Sequence, residues 1–173
     1  MKNTKSLTIT AMLIAIGLVL PPLIRMIPNG GVLFSPMHIC PLLAGLIVGP
    51  IEGIIVGVIC PLLNNVLYGM PMGSTLIGMC FELPTYALVT ALMMKVLENQ
   101  KDTVRVYGSL VVSMIAGRIV GGIVQAIVLG AGNYTVQMWA TSYFVSTLPA
   151  IVIHLILIPA VYFALRKANL IKE

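Results

Sequence analysis

The stretch MHICPLLAGLIVGPIEGIIVGVICPLLNNVLYGMP, Met37 to Pro71, decides the fold. It holds one formal charge, Glu52, in an otherwise apolar run broken by prolines. A helix needs about 20 predominantly apolar residues to cross ~30 Å of hydrocarbon at 1.5 Å per residue. The run is too long for one crossing and is interrupted at Gly49-Pro50. Two short spans are expected, 36–50 and 51–69, as a tight helical hairpin or a partly re-entrant pair.

Moving outward, the same length criterion gives further spans at 7–24, 74–97, 106–130 and 139–165, six in all. Composition agrees. Of 173 residues, 59% are hydrophobic and 9% charged, with a mean hydropathy of +1.06, whereas soluble domains carry about a quarter charged residues. The expectation is an all-α membrane protein, a single six-helix domain over 1–173 with several passes through the cell membrane. The longest polar connection, ENQKDTVR from Glu98 to Arg105, leaves no room for a soluble domain.

With six spans, Lys2, Lys5, Lys95, Lys101, Arg105, Arg166, Lys167 and Lys172 all fall on one side. Lysine and arginine mark the cytoplasmic face, so both termini are expected in the cytoplasm. Only Arg25 lies in an opposite-side loop, and Arg118 lies inside a span. The net charge of +5 follows from this topology and does not point to nucleic acid. The N-terminus mimics a signal peptide, but five spans follow and no A-x-A site is evident, so it is expected to be retained. With no Walker loop, active transport would need an energised partner or an ion gradient. An enzyme is not expected: no Ser-His-Asp set is evident, and the one aspartate, Asp102, sits in a cytoplasmic loop. A stand-alone channel would need polar residues repeated along one face of several spans, and they are too few.

Polar groups inside hydrocarbon are costly and functional by default. The spans offer His38, Asn64, Asn65, Glu82, Arg118, Gln125 and His154. Counted from the outer face, Glu82 and Arg118 differ in depth by only about 5 Å. They can form a structural salt bridge, or Arg118 can anchor a ligand carboxylate while Glu82 holds the guanidinium. Asn64 and Tyr68, at i and i+4, share a helix face near the outer side, where Tyr68 could close a lid. Trp139 is the single tryptophan, placed to anchor the chain at the interface or to stack on a planar ligand. His38 opens its span just after a Gly-rich loop and either caps locally or meets a ligand. With Met37, Cys40, Met26, Met70 and Met72 around it, it could be an axial ligand to haem iron. Zinc fits less well, for want of a C-x-x-C or H-x-x-x-H pair.

The outer loops, 21–36, 69–73 and 130–139, are rich in Gly, Pro, Met and Asn and nearly uncharged, a composition that can fold over an apolar ligand. Prolines 41, 61, 84, 149 and 159 loosen the spans where protein or a cavity covers the freed carbonyls. Cys40, Cys60 and Cys80 give no disulfide framework and read as buried small hydrophobes. NYT at Asn133 is a weak glycosylation match. In AMLIA, Ala11 and Ala15 share one face of the first span, open to close approach by another helix of this chain or of a partner.

The chain resembles the S components, the substrate-binding membrane subunits, of energy-coupling factor (ECF) ABC importers. AMLIA resembles that group's A-x-x-x-A motif. The opening run is similar to a branch with M-H-I-P-V-L-L-x-G and a G-M-P loop, as are FELPTYALV and AGRIVGG. The departure is Cys40-Pro41, where the branch has Pro-Val. The resemblance implies that Ala11 and Ala15 dock on the transmembrane coupling subunit, that two cytoplasmic ATPases supply the energy, and that His38, Asn64, Glu82 and Arg118 fall at motif positions around an outward cavity. The chain would topple in the membrane to deliver its cargo. It would need no cofactor of its own. The cargo would be haem, held by His38 with Arg25 or Arg118 on the propionates, or a carboxylate vitamin such as pantothenate. A nickel or cobalt carrier would have an N-terminal His cluster, which MKNTKSLTIT lacks.

Overall fold

A computed structural model describes residues 2–130 and 133–171. Ala131 and Gly132, in the expected loop 130–139, and Lys172, among the cations used for orientation, lie outside the described residues. Among the described residues there are helices and turns and no strand. The helices are α1 (Lys2–Arg25), α2 (Gly30–Phe34), α3 (Ile39–Ile47), α4 (Pro50–Tyr68), α5 (Gly73–Val96), α6 (Asp102–Leu129), α7 (Val136–Ala140) and α8 (Leu148–Lys167). Six segments are long and apolar enough to cross a membrane, as expected.

Gly49-Pro50 turns the chain as a tight hairpin. Gly49 sits at φ 132°, a conformation that side chains resist. Pro50 then opens α4, where its missing N–H costs nothing. The crossing before it is composite: α2, a 3₁₀ turn at Pro36–His38, and α3, which is buried along almost its whole length. Ser35 joins α2 to the turn at φ 40°, ψ 56°, uncommon for a residue with a side chain.

The sixth span departs from expectation. In place of 139–165, the spanning helix is Leu148–Lys167. Residues 139–147 belong to α7 and to a π-helical turn at Thr141–Val145. The reason is local chemistry. Thr135 caps α7 by accepting the Met138 N–H at 3.2 Å, and Pro149 is tolerated in the first turn of a new helix, not inside a continuous one.

Helix α5 is the packing centre. Gly45 of α3 and Gly53 and Gly57 of α4 let backbones meet it closely: a Cβ on Gly45 would lie 2.5 Å from the Ala87 carbonyl, and one on Gly57 2.6 Å from the Pro84 nitrogen. Helix α1 approaches through Gly17, whose Cβ would lie 2.6 Å from Cys60 Sγ. Cys40 and Cys60 are free thiols fully buried there.

The ends of the bundle differ. At one, Ser6 donates to Glu52 at 2.8 Å, Arg105 Nε donates to the Met94 carbonyl at 2.8 Å, and Arg166 pairs with Asp102 at 2.6 Å. These links bring the starts of α1, α4 and α6 and the ends of α5 and α8 to one basic face. The opposite end carries α2, α7 and the π turn, and beneath them the cavities.

Candidate functional site

A polar cavity of about 350 Å³ lies under the π turn, reached by His38, by Glu82 of α5, by Arg118 and Gln125 of α6, and by Tyr134 and Tyr143. A second lobe of about 360 Å³ adjoins it. The two share Gly31, Val32, Ser35, His38, Thr75 and Met79, so they form one divided space.

His38 is buried in the wall between the lobes. Its Nδ1 lies 3.2 Å from the Ser35 carbonyl and its Nε2 3.5 Å from the Glu82 carboxylate. Tyr86 and His154 flank the imidazole, at ring-centroid distances of 5.3 and 6.1 Å. It makes no side-chain cap on α3. His154 is buried too and bonds the Phe34 carbonyl at 3.1 Å, tying α8 to α2.

Glu82 accepts the Tyr86 hydroxyl at 2.5 Å. Tyr86 can stand there because Gly117 of α6 offers no Cβ to its ring. The expected Glu82–Arg118 salt bridge does not form among the described residues. Arg118 Nε instead donates to the Tyr143 carbonyl at 2.7 Å, and Nη1 to the Met114 carbonyl at 3.1 Å. The π turn brings the Tyr143 carbonyl within reach of the guanidinium, while His38 and Tyr86 both lie at Oε1 of the Glu82 carboxylate. The Arg118 guanidinium carbon lies 5.9 Å from the Tyr86 ring centre and 5.7 Å from that of Phe144. A guanidinium has five N–H donors, so three remain for the cavity. Gln125 Oε1 and the Tyr134 hydroxyl are buried there without a partner. Burial and the nearby Glu82 charge both raise the Tyr134 pKa, keeping the phenol a neutral donor.

The structure thus brings His38, Glu82 and Arg118 together and sets the other expected residues apart. Asn64 is buried at the α1–α4 contact, donating to the Gly17 and Cys60 carbonyls, both at 2.9 Å. Tyr68 is 43% exposed. Neither lines the divided cavity. Trp139 stands behind Arg118: its indole N–H donates to the Arg118 carbonyl at 3.0 Å, and its ring lies against Gly122. It lines a neighbouring apolar cleft of about 250 Å³. Ala11 and Ala15 are exposed on α1. Sequence reasoning missed Tyr86, Tyr134 and Tyr143. Tyr86 lies at i+4 from Glu82, a spacing that could have revealed it. Tyr143 is placed by a π turn that leaves no mark in hydrophobic periodicity.

Among the described residues no three His, Cys, Asp or Glu side chains gather as a metal would require. No curated protein and no solved structure matches the chain significantly. The family model described as ECF transporter, substrate-specific component, matches residues 5–168. That match runs from the first turn of α1 past the end of α8. The chain belongs to the substrate-specific components of ECF transporters, multi-pass membrane proteins that work with an ECF module of transmembrane and ATPase subunits and are parts of a transporter, not enzymes.

Proposed function

We propose that this component captures a small carboxylate-bearing micronutrient of the vitamin class, with Arg118 as the anchor for its carboxylate. One observation carries the reading: Arg118 is 4% exposed, lines the cavity, and among the described residues has no acidic side chain in ion-pair contact. A buried charge calls for a partner of opposite sign, and a carboxylate meets a guanidinium fork with two parallel bonds. Glu82, Gln125 and the Tyr134 hydroxyl supply further polar contacts for hydroxyl or amide groups of the same ligand. The volume sits at the lower end of the ~300–1,000 Å³ range of small-molecule sites.

Haem is the second reading, favoured by Met37, Met70 and Met79 in the lobe beside His38. It has less support. Both His38 nitrogens already have neighbours, and iron ligation through Nε2 would require the imidazole to leave Glu82.

The basic face supports a topology with both termini in the cytoplasm, in which the divided cavity, at the other end, opens outward. The exposed Ala11–Ala15 face of α1 is the surface we assign to the coupling subunit, with two cytoplasmic ATPases completing the transporter.

The test is calorimetric binding of carboxylate vitamins, pantothenate among them, and of their carboxamides to the purified protein. Arg118→Gln is expected to weaken binding by at least about thirtyfold, and the carboxamides to bind poorly to the parent. Equal binding of acid and amide overturns the reading. A sharp Soret band on adding haemin, lost in His38→Ala, would install haem in its place.

A further inference from the structure

The two lobes differ in chemistry. The polar lobe holds Glu82, Arg118, Gln125 and two tyrosines, whereas the second is walled by Pro21, Ile27, Pro36, Met37, Met70 and Pro71. Only Arg25, in the last turn of α1, brings a formal charge to that second lobe. Both lobes open onto the same six residues around His38. A ligand that fills only the polar lobe would leave beside it an apolar space of equal size that water fills poorly. From this juxtaposition we infer that the site is bipartite. The ligand is an amphipathic monoanion, its carboxylate on Arg118 and an uncharged apolar portion passing His38 and Met79 into the methionine- and proline-lined lobe.

The inference rests on the carboxylate reading above and adds the other half of the molecule. Methionine suits this role because its unbranched thioether adapts to an apolar surface without fixing its shape. Arg25 repels a cationic extension, and the apolar walls around it favour an uncharged one.

The probes are 3-phenylpropanoate, 5-phenylpentanoate and 5-phenylpentanamide, measured by calorimetry on the whole protein in nanodiscs. Two added methylenes buried at ~0.8 kcal/mol each should tighten binding roughly fifteenfold. That gain should vanish in Ile27→Gln/Met70→Gln, whose side chains line the apolar lobe and not the polar one, while 3-phenylpropanoate binds this variant as it binds the parent. Equal affinities of the two acids for the parent would overturn the bipartite site and leave the Arg118 anchor standing. If neither acid binds better than the amide, the anchor itself fails and the inference falls with it. A fifteenfold gain that survives the double substitution also overturns it, by locating the phenyl group elsewhere.

Discussion

Asn64 illustrates how a polar residue in hydrocarbon can tie helices together. Its amide bridges the Gly17 carbonyl of α1 and the Cys60 carbonyl of its own helix. Asn64→Ala should lower stability by ~1 kcal/mol, seen as a lower melting temperature in detergent, with ligand affinity unchanged. Glu82 serves the cavity. In Glu82→Ala the Tyr86 hydroxyl loses its acceptor and His38 Nε2 its carboxylate neighbour, so binding should weaken about tenfold or more in the same calorimetric assay. At this scale the sequence is legible in part. Glu82 and Arg118 stand out because charges in apolar runs are costly, and their depths are close enough to meet. Their actual partners are not legible, since the Tyr143 carbonyl that takes Arg118 Nε depends on a turn with no periodic signature.

At the scale of elements, the bundle rests on glycines that bring α3 and α4 against the backbone of α5. A methyl at Gly57 would strike the Pro84 nitrogen and the Leu83 carbonyl carbon at 2.6 and 2.8 Å, and backbone cannot turn aside as a side chain can. Gly57→Ala should therefore cost about 1–3 kcal/mol. Gly31, in α2, has nothing within 4 Å of the place a Cβ would take, so Gly31→Ala should leave the melting temperature nearly unchanged. Four of the six spans are readable from apolar length; the second starts at Gly30, not 36, because α2 forms inside the expected outer loop, and the Gly49-Pro50 break marks the hairpin, because glycine and proline act on the chain locally. The start of the sixth is missed when only charge is counted: residues 139–147 are uncharged but include Thr141, Ser142, Ser146 and Thr147, and the Thr135 cap and the Pro149 restart divide them from the span.

For the whole molecule, function divides between the two ends and one flank. Ala11→Trp and Ala15→Trp should leave ligand affinity unchanged, since neither residue lines either lobe, yet abolish most uptake by cells or by liposomes containing the full transporter. Normal uptake would move the docking surface off that face of α1. The π-turn segment reaches α6 chiefly through Arg118 and Gly122, and Trp139 is the chain's one tryptophan. Its indole hydrogen-bonds the carbonyl of the residue assigned to the ligand. The protein's one indole therefore sits one residue away from the proposed carboxylate anchor, and its emission should shift when the cavity fills, reporting occupancy without any label.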